Sequence, residues 1–144
     1  RDELAHWVAM RPSTGECFAS LVEPSVEWSP TTPKNLGLAP EALQAARPRA
    51  QVYADFDAFL RPDDLVCSWS WYSPRLFGNG GHALGAPTIN VRALLEEVLR
   101  RRVPRLESFA AELGPLTSVT PGRAGQRLAT LVAAAQRCIT DESV

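Results

Sequence analysis

The segment Arg61–Phe77 (RPDDLVCSWSWYSPRLF) constrains the possible folds of this chain more than any other stretch. It opens with the turn signal Pro62-Asp63-Asp64 and continues into the short apolar run Leu65-Val66-Cys67. Pro74 then favours the start of a helix, because proline is tolerated in a first turn. This order predicts an interior strand over Leu65–Trp69. Its C-terminal end would present side chains to a cleft, where ligands bind in open α/β sheets.

The segments on either side predict the rest of an α/β domain. Leu4–Met10 and Cys17–Val22 are apolar and are joined by a turn containing proline and glycine, which favours an antiparallel hairpin. A proline-rich crossing follows over residues 24–40. Hydrophobic periodicity then predicts a helix over Ala50–Leu60 and a brief strand over Thr88–Val91 that is followed by a helix to about Arg102. It also predicts helices over Leu106–Leu113 and Ala124–Ile139.

Length and charge narrow the class of protein. The 144 residues fit one domain, and the formal net charge of -1 gives no general attraction to nucleic acid or to an anionic membrane. No apolar run is long enough for a membrane span. Cys17, Cys67 and Cys138 form no C-x-x-C pair and lie in apolar surroundings. We therefore expect buried free thiols and a reducing, cytoplasmic setting.

The order of elements resembles the DEDD-type 3′–5′ exonuclease domain of the ribonuclease H-like class. The resemblance covers almost the whole chain and rests on the hairpin, the proline-rich arm, the segment Gly37–Leu43 (GLAPEAL), the apolar run before Ser68 and the final alanine- and leucine-rich helix. It implies a mixed sheet flanked by helices and beginning with the hairpin. It also implies that the family's first strand lies upstream of Arg1, in a longer polypeptide.

The residues at the family's catalytic positions imply that its metal site is lost. Such exonucleases hold two divalent metals with four carboxylates and use a His or Tyr to activate water. Here Tyr72 keeps an aromatic position of the second motif, but Ser73 stands where an aspartate is expected. In the last motif Gly122 replaces the general base and Arg127 replaces an aspartate. Because serine is a poor Mg²⁺ ligand and a guanidinium repels metal, we expect no metal, no cofactor and no two-metal hydrolysis.

A first hypothesis is a module that binds single-stranded nucleic acid or tRNA, or that serves as a scaffold. Aromatic rings that stack on bases, next to arginines that contact phosphates, are typical of such proteins. If the family geometry holds, Arg127 points toward Ser73 and contacts either a phosphate or an acidic neighbour. The competing interpretation is that the tryptophans only fill the core. The candidate binding residues are Trp69, Trp71, Tyr72, Arg75, Arg123 and Arg127.

Two other hypotheses stay open. The chain is also similar to the tail behind DTW-type tRNA-uridine aminocarboxypropyltransferase domains, which implies an accessory domain of a larger tRNA-modifying enzyme, although the sequence lacks Asp-Thr-Trp. An active exonuclease would need rearranged carboxylates, and the spacing of the available aspartates does not support one. The two histidines share no metal-ligand spacing and are expected to be structural or at the surface. The aspartates in question are Asp55, Asp57, Asp63 and Asp64, and the two histidines are His6 and His82.

Overall fold

A computed structural model describes residues 3–79 and 81–140, which form an α/β arrangement of small sheets and helices. A six-residue 3₁₀ helix, Pro40–Ala45, lies between the first two α-helices. The strands are β1 (His6–Arg11), β2 (Glu16–Leu21), β3 (Val66–Ser68) and β4 (Thr88–Asn90). The α-helices are α1 (Thr32–Leu36), α2 (Arg49–Phe59), α3 (Tyr72–Gly78), α4 (Val91–Leu99), α5 (Leu106–Leu113) and α6 (Arg123–Thr140).

The predicted antiparallel hairpin is confirmed. Strands β1 and β2 pair from His6 opposite Leu21 to Arg11 opposite Glu16. The turn closes through Gly15, whose N–H donates to the Arg11 carbonyl at 2.8 Å and whose φ of +78° lies in the left-handed region that favours glycine. Local turn chemistry therefore sets the register of this sheet.

The second sheet is a parallel pair, and it corrects the prediction of an interior strand over Leu65–Trp69. Strand β3 covers three residues and pairs with β4 from Val66 opposite Thr88 to Ser68 opposite Asn90. Leu65 is 58% exposed and Cys67 is also exposed, so the prediction of a buried strand is wrong for this run. The physical reason is that, within the described part of the chain, β3 has a strand partner on one edge alone.

The first hydrophobic core joins the hairpin to α2 and to the end of α3. Trp7 of β1 packs edge-on against Phe56 of α2, with ring centroids 5.5 Å apart, and lies 4.8 Å from Phe77 of α3. The Tyr53 hydroxyl donates to the Phe77 carbonyl oxygen at 2.8 Å, so this buried phenol is satisfied. The buried members of the cluster are Leu4, Trp7, Val22, Val52, Tyr53, Phe56 and Phe77.

The second core lies where α6 packs on α4 and α5. Asn90 caps α4 by accepting the Ala93 N–H at 3.0 Å. Leu95 of that helix is fully buried. The helical pattern predicts that Leu94 also faces inward, but this residue is exposed. Close packing along α6 uses the small residue Ala134. The buried members are Trp69, Val91, Leu95, Val103, Leu106, Phe109 and Ala134.

The expectation of buried thiols fails at two of three positions. Cys17 and Cys67 are exposed, because both lie on small two-stranded sheets whose outward sides are uncovered, and Cys138 of α6 is half-buried. All three are free thiols.

Over residues 3–79 and 81–140, no helix combines the length and the apolar character that a membrane span requires.

Candidate nucleic-acid interface

Two of the three predicted aromatic side chains lie at the surface, at the start of α3. Trp71 precedes the helix and is 49% exposed, and Tyr72, its first residue, is 52% exposed. The Ser70 hydroxyl accepts the Tyr72 N–H at 3.3 Å, which satisfies one of the donors that a helix N-terminus leaves unpaired. Arg75 follows at spacings of four and three residues, so it shares a helix face with both aromatics, and it too is exposed.

Trp69 does not belong to this surface. It is 9% exposed and packs in the second core, with Val91 and Leu95 among its neighbours. Its backbone carbonyl accepts the Arg92 N–H at 3.0 Å, which fixes the chain where β3 ends. The interpretation that the tryptophans fill the core is therefore correct for Trp69, and this residue leaves the set of binding candidates.

Two of the three arginines of α6, Arg123 and Arg127, lie near an acidic residue of α5. Arg127 binds the carboxylate of Glu107, and its side chain is 39% exposed. Of the two contacts expected for Arg127, the structure contains the one with an acidic neighbour. Arg123 opens the helix and is exposed. Burial raises the pKa of Glu107, but a backbone hydrogen bond, Arg127 and, least of all, Arg123 together lower it below its ordinary value. Ser73 is exposed in the first turn of α3, and the elements on which α6 packs most closely are α5, α4 and β1.

Gly122, at which the resemblance would place a general base, has a backbone reason to be glycine. Gly122 has a φ of +97°, which other residues rarely adopt. A Cβ added there would lie 2.8 Å from Cδ2 of Leu38 and 3.0 Å from the carbonyl oxygen of Leu36. A histidine at this position would require the loop after α1 to move away from α6.

Three of the four aspartates considered for a rearranged metal site contact basic side chains instead. Arg47 binds Asp55, His82 binds Asp57 and Arg11 binds Asp64. Within residues 3–79 and 81–140, no cluster of three or more His, Cys, Asp or Glu side chains could hold a metal ion. The described residues therefore do not fit the two-metal site that the resemblance implies.

The pairing of Asp57 with His82 is a feature that sequence reasoning missed. Nε2 of His82 lies 2.7 Å from Oδ2 of Asp57, although the residues are 25 positions apart. The imidazole ring stacks on Tyr53, with centroids 4.9 Å apart and an interplanar angle of 11°, and meets Phe77 edge-on. No periodicity or spacing in the sequence signals this contact, because it depends on the path of the glycine-rich loop after α3.

This pair lies on the wall of an open surface depression of about 350 Å³. Arg61 also lines the depression, and its Nη2 contacts Oε1 of Glu16 at 2.6 Å. The lining residues thus combine an imidazole, a carboxylate and a guanidinium with apolar side chains. Its lining includes Asp57, Leu60, Arg61, Pro62, His82 and Gly85.

No family model and no curated protein matches the chain. The evidence for its function is therefore the fold and the surface described above.

Proposed function

We propose that this chain is a non-hydrolytic module that binds single-stranded nucleic acid through the exposed face of α3, on an exonuclease-like fold whose metal site is lost. The observation that carries the proposal is the adjacent pair Trp71 and Tyr72, each about half exposed, with Arg75 on the same helix face. Stacking on such rings contributes roughly 1–3 kcal/mol per base and tolerates every base.

The distribution of charge supports contacts with only one or two phosphates in this proposal. The net charge of -1 provides no long-range attraction. Arg127 is already bound to Glu107, which leaves Arg75 and Arg123 as the exposed cations of the candidate set. Binding that uses one or two phosphates has a shallow salt dependence, with a slope of about -0.7 per phosphate for single strands.

A second candidate, an accessory domain of a larger tRNA-modifying enzyme, is favoured by a different observation. Among the described residues β3 pairs with a strand on one edge alone, and the exposed Leu65 and Cys67 lie just before it and within it. Open strand edges with apolar side chains are surfaces on which a further polypeptide can pair. In this version of the proposal, β3 docks on the catalytic part of the same polypeptide, and α3 contacts the RNA. Free thiols fit a cytoplasmic setting for both candidates.

The binding proposal is tested by titrating fluorescent oligo(U) and oligo(dT) at two salt concentrations. Trp71→Ala should weaken binding by roughly tenfold, as expected for the loss of one stacked base. Arg75→Ala should weaken binding and flatten the salt slope by about one phosphate. Leu94→Ala and Arg102→Ala are the matched controls, since both remove an exposed apolar or cationic side chain elsewhere. Equal losses in variants and controls, or no binding by the parent, would overturn the proposal.

A further inference from the structure

The depression beside α2 is formed by groups that are held in place before any ligand arrives. His82 is fixed by stacking on Tyr53 and by the contact between its Nε2 and Oδ2 of Asp57 at 2.7 Å. Tyr53 is fixed in turn by its hydroxyl, which donates to the Phe77 carbonyl oxygen at 2.8 Å. A side chain whose rotamer is locked in this way presents its remaining polar atoms with little entropic cost.

We propose that this depression binds one nucleobase whose Watson–Crick edge carries an exocyclic amine beside a ring-nitrogen acceptor, namely adenine or cytosine. The inference rests on the proposed function, since it assigns base preference to a module that otherwise grips strands without readout. Asp57 offers an acceptor, because His82 engages Oδ2 and leaves Oδ1 for another donor. Arg61 offers donors, because one of its nitrogens contacts Glu16 and a guanidinium has five N–H groups.

The pairing of acceptor and donor selects among bases. The amines of adenine and cytosine donate to a carboxylate, and the ring nitrogen next to each amine accepts from a guanidinium. Uracil has no exocyclic amine, so it would place a carbonyl oxygen against Asp57. A mismatch of this kind replaces a hydrogen bond by the contact of two acceptors and disfavours the wrong base. Leu60 and Pro62 supply apolar walls for the ring.

The depression lies close enough to α3 for a single strand to reach both. Phe77, near the end of α3, has its ring 6.1 Å from that of His82. Tyr72 begins the same helix, and five residues of α-helix span about 8 Å. These lengths are short compared with a strand of a few nucleotides, which in this proposal contacts both Tyr72 and His82.

Mononucleotides test the depression separately from strand binding. We expect AMP and CMP to bind the full chain about tenfold more tightly than UMP, the ratio expected for one specific base contact, as followed by NMR shifts of the His82 imidazole. Gly85→Val should abolish the preference by filling the depression. A Cβ at Gly85 would meet Oδ1 of Asp57 and Cδ1 of Leu60 at 3.9 Å, an ordinary contact, so the fold should be kept. Asp57→Ala should also remove the preference, while Asp63→Ala, outside the depression, should not.

Each outcome decides between the two proposals. Equal affinity for the three nucleotides, or a preference that survives Gly85→Val, overturns the base site and reduces Asp57–His82 to a surface ion pair. If oligo(U) binding still depends on Trp71 in that case, the proposed function stands alone. If AMP and CMP bind with preference but no oligonucleotide binds, the strand-binding function falls and a nucleotide site remains.

Discussion

Nη2 of Arg11 lies 2.6 Å from Oδ2 of Asp64, and this pair joins the end of β1 to the turn that precedes β3. The same nitrogen donates to the Phe59 carbonyl oxygen at 2.8 Å, and the guanidinium carbon lies 4.6 Å from the Phe59 ring centroid. Asp64 also accepts the backbone N–H of Arg61 at 2.8 Å. One arginine thus connects the hairpin to the end of α2 and to the adjoining turn 61–64, which lie 48 to 53 residues further along the chain.

The Arg11–Asp64 contact predicts a loss of stability in acid. The side-chain hydrogen bond from Arg11, followed by the backbone N–H of Arg61, holds the pKa of Asp64 below its ordinary value. The stabilisation is complete above the unfolded-state pKa, near 4, and is lost as pH falls through the lower folded-state pKa. Thermal melts from pH 7 to pH 2.5 should show a smaller acid dependence for Asp64→Asn than for the parent. Asp63→Asn is the control, and an unchanged acid limb in Asp64→Asn would contradict the prediction.

His6 predicts a second pH dependence at higher pH. Burial lowers the pKa of His6 from its ordinary value of 6.5, and its Nδ1 is buried without a hydrogen-bond partner among the described residues. Because the unfolded chain takes up this proton first, stability should begin to fall as pH drops below about 6.5. His6→Gln should reduce the dependence of the melting temperature on pH between pH 7 and pH 5. His82→Gln is the comparison, and an equal flattening there would locate the effect elsewhere.

The two tryptophans flanking Ser70 should differ sharply in stability measurements. Trp69→Ala opens a cavity in the second core and should destabilise the chain by roughly 3–5 kcal/mol. Trp71→Ala removes a half-exposed ring and should change stability by at most about 0.5–1 kcal/mol. Urea unfolding followed by circular dichroism measures both. Similar losses in the two variants would show that Trp71 is packed more deeply than its exposure indicates.

Gly125 should tolerate no side chain. An added Cβ would overlap the carbonyl oxygen of Thr120, which packs against the first turn of α6. Gly125→Ala should therefore destabilise by about 1–3 kcal/mol or more, despite the better helix propensity of alanine. Gly78→Ala is the matched control, since it also lies in a helix and has no atom within 4 Å of its added Cβ. Gly78→Ala should be neutral or slightly stabilising, and an equally mild Gly125→Ala would refute the close contact.

Arg127→Ala should be mild in every assay. Its ion pair with Glu107 is solvent-accessible on both sides, with side chains 39% and 49% exposed, and such pairs contribute about 0–1 kcal/mol. Affinity for single strands should also stay within twofold or so of the parent, because its charge is already paired. Denaturation and oligonucleotide titration of the same variant check both statements. A large loss of affinity at unchanged stability would return Arg127 to the binding surface.

Local chemistry explains which elements could be predicted from the sequence. The hairpin was predictable because Pro12 and Gly15 determine the turn, and α5 because Gly114-Pro115 ends it. The exposure of Leu65 could not be predicted, because it depends on which strands lie beside β3. A ribonuclease H-like sheet stays a prediction.

The candidate site divides along the same line. Trp71 and Arg75 were predictable as neighbours because helical spacing places them on one face. Trp69 is separated from them because it packs against α4, α5 and α6. The hydrophobic periodicity of so short a segment does not predict such packing. The contact of Asp57 with His82 arises from loop geometry.

Residues 69–77 have Trp69 in one hydrophobic core and Phe77 in the other. The segment between them is therefore one of the covalent connections between two units, the hairpin with α2 and the group α4–α6, which also meet where α6 packs on β1. Amide hydrogen exchange should resolve two protection levels, one for α2 and the hairpin and one for α4–α6. A ligand bound on α3 contacts the connection itself, so it should raise protection in both units together and make unfolding more cooperative.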